Sequence, residues 1–210
     1  MAEPLDDFIR ALAENGQHTA RNYYGVQNGW CSSHNSDLWA MTNPVGEQRE
    51  SPMWANWNMG GAWLANTLWE RYQFTQDEDY LRNVAYPLMK GAADFCLDWL
   101  IENPKQPGEL ITAPSTSPEN EYVTPDGYQG VTCYGGTADL AIIRELLTNT
   151  MEAEAILNEA PLSSPEKAPL SSPEGDTNVP CAAEASPRGG LEWGFFIPKR
   201  LPPDVNPEGR

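Results

Sequence analysis

The sequence is short of cations and of histidine. Its 210 residues carry 13 lysines and arginines against 30 aspartates and glutamates, for a net charge of −17. That balance argues against nucleic acid and against anionic membrane surfaces as partners. No apolar run approaches the roughly 18 residues that would suggest a membrane-spanning helix. The opening Met1-Ala2-Glu3-Pro4-Leu5-Asp6-Asp7 is acidic and has no apolar stretch, so it does not read as a signal peptide. Only two histidines occur, His18 and His34. The four cysteines, Cys31, Cys96, Cys133 and Cys181, show no C-x-x-C spacing, so they carry no metal signature. Nothing implies a cofactor.

Tryptophan, by contrast, is plentiful. Seven of the eight fall at or before Trp99. Flat rings are core residues by default, and they are also the walls on which sugar rings stack.

Residues 4–24 read as a helix. Pro4 suits its first turn, and Leu5, Phe8, Ile9, Leu12 and Ala13 form one apolar stripe. A long polar and aromatic connection follows over 25–56, with Trp30, Trp39 and Trp54 in it. Its segment Ser33-His34-Asn35-Ser36-Asp37-Leu38-Trp39 places an imidazole, an amide, a carboxylate and an indole close together. Such a segment is either a loop pinned by its own hydrogen bonds or a ligand-binding edge.

Residues 57–74 read as a second helix, with Trp63, Leu64, Thr67, Leu68 and Tyr72 on its apolar face. Gly60-Gly61 marks close approach by another backbone. Thr75-Gln76-Asp77-Glu78 matches a capping box for a third helix reaching about Asn103, which Pro87 kinks or restarts. Its Cys96 reads as inert packing. A second long loop covers 104–133. A fourth helix starts near Thr137, a candidate cap, with Leu140, Ile143, Leu146 and Leu147 as its stripe. Residues 161–210 then hold 10 of the 19 prolines and a repeated Pro-Leu-Ser-Ser-Pro-Glu. That composition reads as a low-complexity tail.

The second loop contains Ile111-Thr112-Ala113-Pro114-Ser115-Thr116-Ser117-Pro118-Glu119-Asn120. Its prolines stiffen it and its hydroxyls favour turns. Glu119 at its end is either a solvated surface carboxylate or an acid aimed into a cleft. The order of elements bears on that choice. A tight turn between helices two and three makes them antiparallel neighbours, so both long loops fall at one end of the helical layer. Long loops at one end and tight turns at the other suit an α/α toroid. Four helices do not close such a ring, so apolar faces stay exposed or are covered by a partner.

A set of motifs makes the reading more specific. They are Glu3-Pro4-Leu5, Leu12-Ala13-Glu14-Asn15-Gly16, His34-Asn35-Ser36-Asp37-Leu38-Trp39, Gly60-Gly61-Ala62-Trp63-Leu64, Tyr86-Pro87-Leu88-Met89-Lys90-Gly91, Pro114-Ser115-Thr116-Ser117-Pro118-Glu119-Asn120 and Ile142-Ile143-Arg144-Glu145-Leu146. In this order and spacing, residues 1–158 resemble the catalytic domain of glycoside hydrolase family 95, mostly α-L-fucosidases with some α-L-galactosidases. The resemblance implies an all-α fold, an incomplete (α/α)6 toroid, with residues 159–210 as a separate irregular tail. It implies inverting hydrolysis of a fucosylated oligosaccharide or glycan, with Glu119 as general acid. His34, Asn35, Asp37 and Trp39 are the expected substrate contacts.

In that family an asparagine polarised by an aspartate activates the attacking water. The motifs that carry this pair have no counterpart here. Asp37, Asp126 and Asp139 are available carboxylates, but nothing in their motifs marks a replacement base. The expectation is an acid without its base, weak or inactive alone, with the missing part of the toroid as a partner. Two alternatives stand beside it. One is a non-catalytic carbohydrate-binding module using Trp30, Trp39, Trp54 and His34. The other is a non-functional remnant.

Overall fold

In a computed structural model, the residues described are 3–45, 51, 53, 57–117, 119–157, 184–185 and 191–192. Helix α1 (Glu3–Asn22) buries Ile9, Leu12 and Ala13 of the expected stripe and Ala20 beyond it, while Leu5 is exposed and Phe8 half-buried. Helix α2 covers Gly60–Thr75. A rod follows, made of α3 (Glu78–Tyr80), a π-helical turn over Leu81–Ala85, and α4 (Tyr86–Trp99). Pro87 lies in the first turn of α4, where its missing N–H breaks no ladder. Helix α5 spans Thr137–Leu157. The described residues thus contain the four expected helical rods, and none is long and apolar enough to cross a membrane.

α1 packs on α2 and α4, and α5 packs on the same two helices. The core between them holds Leu12, Leu68, Met89, Phe95, Ile143 and Leu146, all at 2% exposure or less. Asn149 on α5 donates to the side-chain carbonyl of Asn66 on α2 at 2.9 Å. At the far end from the long loops, Asp6 joins α1 to the next hairpin. It pairs with Arg71 and accepts from the Tyr80 hydroxyl at 3.2 Å, while the Arg71 guanidinium lies 4.2 Å from the Tyr80 ring centroid.

Three local expectations change. The cap after α2 is not Thr75, which stays helical and turns its hydroxyl back to the Arg71 carbonyl. Gln76 goes left-handed at φ 54°, ending α2, and Asp77 caps the next helix by accepting from the Tyr80 N–H at 3.0 Å. Trp63 is 60% exposed rather than core. Ala62, Ala65, Leu68, Trp69 and Tyr72 take the inner face, because the Gly60-Gly61 edge is pressed against the first loop. Trp30 is buried, not a wall for sugar: its indole N–H donates to the Leu88 carbonyl at 2.9 Å.

The third rod ends at Trp99, and β1 (Ile101–Glu102) stands in place of the expected helix; the second loop contains β2 (Leu110–Ile111), β3 (Tyr122–Val123) and β4 (Gln129–Gly130). β3 and β4 form an antiparallel hairpin. By contact, Glu102–Leu110 and Glu166–Arg210 separate as a unit from Met1–Ile101 with Ile111–Pro165. The segment Glu102–Leu110 closes on itself, with the Asn103 N–H donating to the Glu109 carbonyl at 2.7 Å. In the tail, β5 (Glu184–Ala185) pairs antiparallel with β6 (Leu191–Glu192). The boundary expected at 158 and Trp54 lie outside the described residues.

Candidate functional site

The second loop is held at its base by one carboxylate. Asp139, in the first turn of α5, is 2% exposed. Its Oδ2 accepts from the Thr112 hydroxyl at 2.9 Å and the Ser115 hydroxyl at 2.7 Å, and its Oδ1 accepts from the Trp57 indole at 2.8 Å. Burial pushes its carboxyl above the usual range, and the three donors pull the other way. The N-terminal end of the α5 dipole also favours the charged form. Trp57 ends the first long loop and Thr112 and Ser115 lie in the second. Both loops therefore meet at one end of the helices, as the alternation of elements predicts.

More straps fix the same segment. Ser115 and Cys133 exchange two backbone bonds at 2.8 Å, and Thr116 donates to the Val131 carbonyl at 2.7 Å. A Cβ on Gly136 would sit 2.5 Å from the Ser115 hydroxyl, so that glycine lets the loop pass. The Ala113–Pro114 peptide is cis. Beyond this base, Glu119 is exposed and takes a left-handed backbone at φ 63°. A residue with a Cβ is uncommon there and is held only by its surroundings.

The first loop is anchored as firmly. The Ser33 N–H donates to the Thr42 carbonyl at 2.9 Å, and Ser32 bridges Met59. A Cβ on Gly60 would meet the Ser33 carbonyl at 2.4 Å, the close approach that Gly60-Gly61 signals. His34 is half-buried, and Asn35, Asp37 and Trp39 are exposed. Asp37 Oδ1 accepts from the Trp39 and Met41 N–H groups at 3.0 and 3.1 Å. Asn15 on α1 donates to the Trp39 and Ala40 carbonyls at 3.1 and 2.9 Å. These bonds tie the 37–41 segment to its own loop and to α1. The bases of the two loops come together at Asp139.

Two grooves are lined by other residues. One, of about 330 Å³, runs between α1 and α4 past Gln17, Arg21, Asn28, Trp30 and Asp94. The other, of about 400 Å³, follows the β3–β4 hairpin along Glu121, Tyr128, Gln129 and Thr132. Among the described residues no group of three His, Cys, Asp or Glu side chains is placed to hold a metal.

With this geometry in place, residues 1–169 match the Glycosyl hydrolase family 95 catalytic domain. The chain belongs to glycosyl hydrolase family 95. It is 43% identical over 157 residues to Alpha-L-fucosidase 2 of Arabidopsis thaliana, which is 75% of this chain and 18% of that protein. It is 28% identical over 122 residues to Probable alpha-fucosidase A of Aspergillus niger, 57% of this chain and 15% of that protein. It thus spans less than a fifth of the length of either relative.

Two features of this family 95 chain escaped the reading of its sequence. Asp139 stood there as one spare carboxylate among three, although an acid in the first turn of a helix, Thr137-Ala138-Asp139, is a recognised signal. The hairpin was also missed. Its signature was present: Pro125-Asp126-Gly127 between Tyr122 and Tyr128 is a turn sequence with a mechanism. The other spare carboxylates have local roles. Asp126 sits in that turn and receives the Thr124 hydroxyl, which holds its carboxyl below the usual range, and Asp37 staples its own loop.

Proposed function

We propose that this chain supplies the general-acid side of an α-L-fucosyl hydrolase site. Glu119 protonates the departing glycosidic oxygen, while His34, Asn35, Asp37 and Trp39 contact the fucosylated glycan. The observation that carries this reading is the family match across the Ser-Pro-Glu motif, joined to the position of Glu119 just past a loop strapped at its base. Two relatives named as fucosidases give the sugar.

Inverting hydrolysis needs an acid and a water-activating base on opposite faces of the sugar. These 210 residues carry the acid motif and no counterpart of the family's asparagine–aspartate pair. Glu119 is also exposed to solvent in this chain. Both points make the chain alone a binder with little or no turnover. The remaining wall of the toroid is the partner that would cover Glu119 and bring the base.

The test incubates the purified chain with 2'-fucosyllactose and follows both release of fucose and binding by calorimetry. Saturable binding that weakens in Trp39→Ala, with no turnover, is the expected result. Turnover that disappears in Glu119→Gln would keep the acid and overturn the missing base. Neither binding nor turnover would end the fucosidase reading of this chain.

A further inference from the structure

Beyond Glu119 the chain builds a small aromatic surface with no role in the fold's core. Tyr122 and Tyr128 are 40% and 61% exposed, and their ring centroids lie 6.3 Å apart at a 50° tilt. The first is tied at its hydroxyl and the second through its backbone. The Tyr122 hydroxyl donates to the Thr132 carbonyl at 3.0 Å. Tyr128 is set by the turn, with its N–H on the Thr124 hydroxyl at 3.1 Å and its carbonyl accepting from the Thr124 N–H at 2.9 Å. Gly130 lies against both rings. A Cβ there would fall 2.5 Å from the Tyr122 hydroxyl and 3.0 Å from the Tyr128 ring.

The groove beside these rings is lined by Glu121, Tyr128, Gln129, Gly130, Val131 and Thr132. A fixed ring face attracts polarised C–H bonds through its quadrupole, and a carboxylate and an amide on the rim accept from or donate to hydroxyls. That pairing of one apolar face with hydroxyl-matching edges is the chemistry of a pyranose, which is why a sugar fits better than an apolar peptide. Glu121 is two residues from Glu119, a backbone reach of at most about 7 Å. The groove is therefore on the scale of one or two sugar rings from the proposed acid.

We propose that the β3–β4 hairpin binds the sugar on the leaving-group side of the scissile bond, with Tyr128 under its C–H face and Gln129 and Glu121 on its hydroxyls. This rests on the reading of Glu119 as the proton donor. A general acid touches the leaving oxygen, so the surface just past it is where the departing sugar lies. The base and the fucosyl contacts belong on the other side.

The experiment titrates the 15N-labelled chain with methyl β-D-galactopyranoside, a pyranose with one unbroken C–H face, and separately with L-fucose. Amide shifts are followed by NMR. The galactoside is expected to move amides over 121–132, and L-fucose those over 34–39. Tyr128→Ala should weaken the galactoside roughly three- to ten-fold, the range of one ring contact. Because Tyr128 is exposed, that variant should fold, and Gln129→Ala provides a second one that leaves the rings in place. Hairpin amides that stay still while L-fucose moves 34–39 would overturn the hairpin site alone. Hairpin shifts with no response to L-fucose would overturn the leaving-group assignment together with the fucosidase reading. Galactoside binding unchanged in both variants would also sink the proposal.

Discussion

Replacing Asp139 tests whether one carboxylate organises both loops. In Asp139→Ala, three buried donors lose their acceptor: the Trp57 indole and the Thr112 and Ser115 hydroxyls. Each orphaned buried group costs about 1–3 kcal/mol. Hydroxyls can rotate toward other acceptors, but an indole N–H only donates, so the total should be about 2–5 kcal/mol. Asp139→Asn should be milder. Its carbonyl can face Trp57, and its amide can donate to hydroxyl oxygens that rotate to accept. Exchanging charged for neutral hydrogen bonds costs about 1–2 kcal/mol.

The assay is urea unfolding followed by tryptophan fluorescence, to which Trp57 is one of eight contributors. Its pH dependence carries a sign. Burial raises the folded carboxyl above its unfolded value. On acidification the folded form takes up the proton first, so this group adds stability as pH falls from above the raised pKa toward the ordinary aspartate value. Asparagine has no such proton. The advantage of wild type over Asp139→Asn should therefore widen on acidification through that window and be smallest near neutral pH. An advantage that shrinks with acid would show that the three donors outweigh desolvation. An alanine variant within about 0.5 kcal/mol of wild type would refute the clamp itself.

Two other predictions concern the helical layer. Asp6→Ala removes the partner of Arg71 and of the Tyr80 hydroxyl; because Arg71 is 27% exposed, the loss should be about 1–3 kcal/mol by thermal unfolding, not the full cost of a buried pair. A change below about 0.5 kcal/mol would count against this cluster as the tie between α1 and the next hairpin. The thiols should differ in reactivity. Burial pushes Cys96 up to about 12 and Cys31 higher still, whereas Cys133 is half-exposed. Brief iodoacetamide treatment near neutral pH, read by mass spectrometry, should label Cys133 and spare Cys31 and Cys96. Labelling of Cys96 in the folded chain would contradict its packing.

The sequence was most legible where one apolar period governed a whole element. Ile9, Leu12 and Ala13 announced α1, and Ile143, Leu146 and Leu147 announced α5. It was less legible where two weak signals competed. Thr75 and Asp77 are both good caps, and the left-handed turn at Gln76 decides between them, which no pattern of side chains reveals. Trp63 fitted a helical stripe one position away from the true one, because the approach of Ser33 to Gly60 sets the rotation of α2. In the candidate site, the stiffness of the Pro114–Ser117 loop and the position of Glu119 could be read from composition. The clamp could not. It joins residues from three parts of the chain, and no local spacing records that Trp57, Thr112, Ser115 and Asp139 converge.

The way the second loop is fastened makes its tip an exchangeable cassette. Its anchors, at Thr112, Ser115 and Thr116 on one side and at Val131, Cys133 and Asp139 on the other, lie below residue 117 or above residue 130. The tip between them carries its own turn bonds through Thr124 and Tyr128. A different tip grafted between the same anchors need not disturb the helices beneath it. Selection or design could therefore change the whole tip, Glu119 included, while leaving the scaffold as it is.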